Sequence, residues 1–423
     1  MSAALTPALL ASLARTHGTP LWVYDAALIR QRINELRQFD TIRFAQKACS
    51  NTHILRLMRE RGVLVDSVSL GEVERALHAG YGLGGAPSEI VFTADLFDRP
   101  TLARIVELGL PVNAGSIDML HQLGGASPGH RVWLRINPGF GHGHSQKTNT
   151  GGAHSKHGIW HADLPLALQA ISRHGLKLVG LHMHIGSGVD YSHLAQVCDA
   201  MVALVTGMPH DIEAISAGGG LSIPYRDDEA RIDTAHYFSL WDAARKKIEV
   251  HLKHPVKLEI EPGRYLVAES GVLLSEVRAV KDMGANHFAL VDAGFNELVR
   301  PAMYGGYHAI SVNAGAGNPP LQARALTPTV VAGPLCESGD VFTQDQGGIV
   351  TRRALSAPEV GDLLVFHDTG AYGASMSSNY NSRPLCAEVL VDAGRARLIR
   401  RRQLMQELLA LEDVSDGGAQ GPL

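Results

Sequence analysis

The run Ile42-Arg43-Phe44-Ala45 leads into Gln46-Lys47-Ala48-Cys49-Ser50-Asn51, and apolar residues at helical spacing (Ile54, Leu55, Leu57, Met58) follow at once. A short apolar strand, a polar turn and an amphipathic helix make one βα unit. Lys47 then stands at the C-terminal end of a strand, the end at which α/β barrels place their chemistry. Partial burial at such a position lowers an amine's proton affinity and makes it nucleophilic enough to form a Schiff base.

Outward from this unit the pattern repeats. Leu64–Val68, Ile90–Thr93, Val112–Ala114, Val132–Ile136, Leu178–His182, Ala214–Ala217 and Lys257–Glu261 read as further strands, separated by helical patterns. With the strand before Lys47 they make eight βα units, which points to a (β/α)8 barrel of TIM type over residues 25–273. A doubly wound open sheet is the competing architecture. Polar and glycine-rich residues gather after the strands, on a barrel's active face.

Beyond Leu273 strands follow one another without helical crossovers: Leu274–Val280, His287–Val291, Thr329–Ala332, Asp362–Phe366, Glu388–Val391 and Arg397–Ile399. The fold class is therefore α/β plus β, with a second β-rich domain, a sandwich or barrel, over residues 274–412. Residues 1–24 belong with it, through an amphipathic helix over Ser2–His17 and the strand Leu21–Tyr24. Residues 413–423, rich in glycine and acids, are expected to be a disordered tail.

Composition narrows the function. A net charge of −4 over 423 residues gives no electrostatic reason for a nucleic acid or an anionic membrane as partner. No apolar run approaches the roughly 18 residues that span a bilayer, and no basic segment precedes an apolar core as in a signal peptide. Cys49, Cys198, Cys336 and Cys386 are scattered and form no CxxC pair, which suits reduced thiols in a cytoplasm. His182-Met183-His184 could ligate zinc, but no acidic or thiolate partner stands nearby at ligand spacing, so no metal is expected.

The strand ends carry the chemistry. Gly218-Gly219-Gly220 follows a strand directly, and successive glycines let backbone N–H groups converge on an anion such as a phosphate monoester. Glu261-Pro262-Gly263-Arg264 closes the eighth strand. A carboxylate there could hold a pyridinium nitrogen protonated, the turn could bring N–H groups to phosphate, and Arg264 offers a planar fork to a carboxylate. In His182-Met183-His184-Ile185-Gly186-Ser187, His184 could stack on an aromatic ring and Ser187 could reach a phosphate oxygen, while His182 reads as a core histidine. The β-rich half adds Arg300-Pro301-Ala302-Met303-Tyr304, Cys336-Glu337-Ser338 and Gly370-Ala371-Tyr372-Gly373.

In this order, Gln46-Lys47-Ala48, His184-Ile185-Gly186-Ser187, Gly218-Gly219-Gly220, Glu261-Pro262-Gly263-Arg264, Cys336-Glu337-Ser338 and Gly370-Ala371-Tyr372-Gly373 closely resemble the alanine-racemase-type (fold type III) pyridoxal phosphate decarboxylases, over residues 21–411. The resemblance implies pyridoxal 5'-phosphate held by Lys47, with His184 on its ring and Glu261 at its nitrogen. Ser187, Gly218, Gly219, Gly220 and the turn at Gly263 and Arg264 would hold the phosphate. Tyr372 would touch cofactor and substrate. Arg264, Arg300 and Tyr304 would bind a distal carboxylate, Glu337 a distal ammonium, and Cys336 would protonate the carbon that loses carbon dioxide. The family's Cys-Glu pair reaches into a neighbouring subunit, which implies a homodimer with shared active sites.

Within the family the resemblance is to the branch that converts meso-2,6-diaminopimelate to L-lysine and CO2. An ornithine- or arginine-type decarboxylase is the alternative, but its relatives usually carry Cys-Asp where this chain has Cys336-Glu337. A racemase would carry a tyrosine acid in place of Cys336, and non-catalytic cofactor carriers tend to be single barrels. Two positions depart from the family. His157 stands in Lys156-His157-Gly158 where phenylalanine is more frequent, and Leu70 in Ser69-Leu70-Gly71-Glu72 where glycine is common. The stretch His142–His154, long and glycine-rich, suits a lid.

Overall fold

The computed structural model describes residues 4–141, 151–184 and 190–414. These fall into two compact units, one from within residues 32–223 and 230–266, the other from residues 4–31, 224–229 and 267–414.

In the first unit the strands Thr41–Ala45, Leu64–Ser67, Ile90–Ala94, Val112–Ala114, Arg131–Asn137, Lys177–His182, Ala214–Ser216 and Lys257–Ile260 pair in parallel, each with the next. Lys257–Ile260 pairs back with Thr41–Ala45, with Glu259 opposite Thr41. That last pairing closes the sheet into the expected eight-stranded barrel and removes the open-sheet alternative. A short strand, Ile159–Trp160, adds parallel to the end of Arg131–Asn137. All five residues of Thr41–Ala45 are buried, the mark of a strand covered on both faces.

Local chemistry starts and stops the barrel helices. Asn51 caps Thr52–Glu60 by accepting from the His53 N–H at 3.0 Å, and Ile54, Leu55, Leu57 and Met58 form its buried stripe. Ser69 caps Leu70–His78, while Glu72 reaches back to the Val68 N–H at 2.8 Å, one residue short of a reciprocal capping box. Leu70 is thus the first residue of a helix, a place that has no need of glycine. Asp98, Ser116, Asp190 and Asp233 cap four more.

The second unit is built on one long strand, Gly271–Met283. It pairs antiparallel with Leu21–Asp25, then with Leu363–Phe366, and past an irregularity between Val277 and Ala279 with Asn286–Val291. Leu21–Asp25 lies parallel to Ala387–Asp392, so the chain's early strand joins its late ones. The helix Pro7–His17 packs Leu10 and Leu13 with Leu21, Val23, Val272, Leu274 and Val389. Four strands lie outside the sequence expectation: Ile310–Asn313, Gln344–Asp345, Ile349–Val350 and Arg353–Ser356. They are short and, Gln344 and Leu355 apart, only part-buried or exposed, so no long apolar run marks them.

Candidate active site

The strand Thr41–Ala45 ends in a single 3-10 turn, Gln46–Ala48. Gln46 is buried, and its amide donates to Ser67 Oγ at 2.6 Å and to the Glu72 carbonyl at 3.0 Å. Those bonds tie the turn to the neighbouring βα unit. Gln46 and Ala48 take its inward positions, and Lys47 between them is exposed. The partial burial expected for this amine is therefore not found. Far along the sequence, Gly263 packs onto the same turn. A Cβ there would stand 3.1 Å from the Ala45 carbonyl and 3.2 Å from Ala48 Cβ, so only glycine allows the approach without displacement.

Glu261 follows the last barrel strand and is buried. Its Oε2 accepts from His182 Nε2 at 2.7 Å and its Oε1 from Ser216 Oγ at 3.3 Å. Burial by itself would raise this carboxyl, but His182 and then Arg43 and Arg135 oppose it and hold Glu261 below its ordinary value. It is ionised at neutral pH. A carboxylate only accepts, so His182 carries its proton on Nε2. The opposite ring nitrogen, Nδ1, is buried with no hydrogen-bond partner among the described residues. His182 is thus a core histidine, and the neighbour that satisfies it is Glu261.

The glycine run threads the same cluster. Gly218 has φ +61 and its N–H donates to Ser216 Oγ at 3.1 Å, while its carbonyl accepts from the Glu261 N–H at 2.8 Å. The Gly219 N–H donates to His184 Nδ1 at 2.9 Å. A Cβ on Gly218 would lie 2.3 Å from the Met183 carbonyl, and one on Gly219 2.6 Å from the Glu261 carbonyl. Two of the three amides are thus engaged inside the cluster, and the third, Gly220, has φ +95. Burial, and after it the positive charges of Arg135 and Lys47, pushes the His184 imidazole well below its ordinary value. His184 is neutral, with its proton on Nε2. Arg264 opens the short helix Arg264–Val267 and is half-buried. Ser187 lies outside the described residues.

Asp66, in the strand Leu64–Ser67, joins this set without having been singled out by sequence. Its carboxyl is pushed up to about 7 by burial and then by the charge of Glu261, against a hydrogen bond to Thr93 and the pull of Lys47. Burial likewise raises Glu72. The available signal was an acid inside an apolar strand, which a buried sheet tolerates only for a reason.

At the end of Arg131–Asn137 the buried Asn137 holds both flanks of the following loop. Its Oδ1 accepts from the N–H groups of Gly139 at 3.1 Å and Gly152 at 2.9 Å. Its Nδ2 donates to the carbonyls of Gly152 at 3.1 Å and His157 at 3.2 Å. His157 Nδ1 lies 2.7 Å from Asp95 Oδ2, and the Gly158 N–H donates to Asp95 Oδ1 at 2.9 Å. Within the expected lid, residues 142–150 lie outside the described residues.

The second unit holds the other candidates. Arg300 opens the helix Arg300–Tyr304 and is buried, while Tyr304 ends it half-buried. Cys336 and Glu337 are exposed on a loop shaped by Asp340, whose carboxylate accepts from the Phe295 N–H at 2.7 Å and the Leu335 N–H at 2.8 Å. The Cys336 N–H donates to Asn381 Oδ1 at 3.0 Å, and the Tyr380 hydroxyl donates to Glu337. Tyr372 is half-buried at φ +59, a left-handed conformation that costs a non-glycine residue about 1 kcal/mol or more. Its neighbours enforce it. A Cβ on Gly370 would lie 2.0 Å from the Val267 carbonyl, and one on Gly373 2.6 Å from the Trp22 ring.

Comparison with known proteins bears on this arrangement. Residues 26–268 match the family model described as pyridoxal-dependent decarboxylase, pyridoxal binding domain. The chain is 67% identical over 408 residues to a diaminopimelate decarboxylase of Escherichia coli K12, covering 96% of this chain and 97% of that protein. It is 65% identical over 413 residues to one of Streptomyces coelicolor, covering 98% and 93%. A crystal structure of diaminopimelate decarboxylase, 67% identical, superposes with a TM-score of 0.94 over 97% of both chains. No helix among the described residues is long and apolar enough to cross a membrane.

Proposed function

The chain belongs to the pyridoxal-dependent decarboxylases, and from that membership we propose that it decarboxylates meso-2,6-diaminopimelate to L-lysine and CO2, the last step of lysine biosynthesis. One observation carries the chemistry. Glu261 is a buried carboxylate kept ionised by His182, as a protonated pyridine nitrogen requires of its partner. The donor set fits pyridoxal 5'-phosphate: glycines at 218 and 219 where any Cβ would collide, a neutral His184 fixed by the Gly219 N–H, and an exposed amine on Lys47.

When bound, pyridoxal 5'-phosphate supplies the electron sink that accepts the bonding pair as the carboxylate leaves. The protein's own groups do the rest. Lys47 would hold the cofactor through its amine and would carry protons to and from the substrate amine. Glu261 would keep the ring nitrogen protonated, and His184 would cover the ring without adding charge. Ser187, Gly218, Gly219, Gly220 and the turn at Gly263 and Arg264 would hold the phosphate. Arg264, Arg300 and Tyr304 would take the distal carboxylate, Glu337 would take the distal ammonium, and Tyr372 would touch substrate and cofactor. Cys336 delivers one proton to the carbon that has lost CO2, so substrate plus that proton gives lysine plus CO2.

The active unit we assign is a homodimer in the cytoplasm, with Cys336 and Glu337 completing the partner's site. Their exposure on a braced loop supports this. The test is CO2 release from the purified protein with pyridoxal 5'-phosphate, offered meso-diaminopimelate, its LL isomer, L-ornithine and L-arginine. Release from the meso isomer alone, with L-lysine as product, is expected. Release from ornithine or arginine instead would overturn the roles given to Arg300 and Glu337.

A further inference from the structure

Arg300 is held by two residues that the sequence does not connect with it. Its Nη1 donates to His308 Nε2 at 2.8 Å, and His308 Nδ1 lies 2.8 Å from the His367 carbonyl. A guanidinium only donates and a carbonyl only accepts, so both neighbours demand one form of the ring: proton on Nδ1, lone pair on Nε2. His308 is buried, and the chain around it is pinned, because the His367 N–H donates to the Ala309 carbonyl at 2.9 Å. From the segment Pro224–Glu229 comes Tyr225, whose ring centroid lies 4.6 Å from the Arg300 guanidinium carbon and 5.4 Å from the His308 ring, edge to face. The guanidinium is therefore located by a hydrogen bond and by an aromatic ring.

We propose that His308 is a positioning residue for substrate selectivity: its unprotonated Nε2, together with the ring of Tyr225, sets the Arg300 guanidinium in the orientation that reads the carboxylate at the far end of the substrate. This rests on the role given to Arg300 above. A planar fork discriminates only when its plane is fixed, since a misaligned guanidinium keeps its charge but loses the paired geometry a carboxylate matches.

The test uses full-length holoenzyme bearing His308→Phe or His308→Gln. The first removes the acceptor; the second offers an amide oxygen in its place. His308→Phe is expected to raise KM for meso-diaminopimelate about tenfold to a hundredfold, the range for a buried donor left unpaired, with kcat changed by less than about threefold. Inhibition by L-lysine, which keeps the carboxylate, is expected to weaken in parallel, while inhibition by cadaverine, which lacks it, stays unchanged. His308→Gln is expected to restore most of the loss. Tyr225→Leu, which leaves the acceptor in place, supplies the same test if His308→Phe does not fold, with the same split between the two inhibitors. Equal weakening of L-lysine and cadaverine, or an unchanged KM in a folded variant, would overturn the proposal. If the unsubstituted enzyme does not turn over meso-diaminopimelate, the reading beneath it falls as well, and that is seen before any substitution is made.

Discussion

The barrel and the β-rich unit hold their polar residues in different ways. In the barrel, His182, Glu261, Ser216, Gly218, Gly219 and His184 lie at or just beyond the ends of three adjacent strands, joined in that order by hydrogen bonds and, between Gly218 and Gly219, by the chain itself. In the β-rich unit, Cys336 and Glu337 are exposed on a loop, and Arg300 is buried but located by a histidine and a tyrosine from separate segments. The barrel cluster suits chemistry common to a whole family, because strand ends tolerate little displacement. The loops and the short helix suit choice of substrate, because their supports can change without disturbing the barrel.

The contrast can be broken at its strongest point first. Lys47→Ala is expected to cut turnover by about 10⁴-fold, the upper end for loss of a group that moves protons. Mass spectrometry after borohydride reduction should find no cofactor on the chain, and cofactor retained on another lysine would displace Lys47 from its role. Cys336→Ala should leave cofactor absorbance intact while turnover falls by about 10²- to 10³-fold. Unchanged turnover would take the thiol out of the mechanism and leave the exposed loop a matter of substrate binding alone.

His182→Phe tests whether the barrel cluster is wired as described. Removing the partner that opposes burial raises the proton affinity of Glu261, so the low-pH limb of the kcat profile should move to higher pH. About a tenfold loss at neutral pH is expected, of the size of one charge-assisted hydrogen bond. A limb that stays in place would mean that Glu261 does not govern it. The smallest effect is expected from His157→Phe, which substitutes the residue more frequent in the family. Asp95 keeps the Gly158 N–H, so kcat/KM should stay within about threefold and thermal unfolding should show a loss of about 1 kcal/mol. A larger fall in kcat/KM would make His157 part of the site.

Much of this was legible in the chain. All eight barrel strands stand out because strands buried on both faces are rich in apolar residues, and Lys47, Glu261 and the glycine run announce themselves by following such strands directly. Asp66 and the pairing of His182 with Glu261 were not legible, because nothing in the spacing of residues 66, 182 and 261 says that their strands converge. The short strands near residues 310 and 344–356 escaped for another reason: they are short and mostly not buried, and carry no periodic signal.

What the amino-acid sequence determined by itself is the order of the elements and the residue types at strand ends, since periodicity, caps and glycines act over a few residues. What only the tertiary structure decided is who meets whom. Closure of the sheet sets Glu259 opposite Thr41 and seats Gly263 against the Lys47 turn, and the folding of Pro224–Glu229 with the β-rich unit brings Tyr225 to Arg300. Protonation states follow from those meetings. A carboxylate is kept ionised, and a histidine neutral, by neighbours that are distant in the chain and adjacent in space.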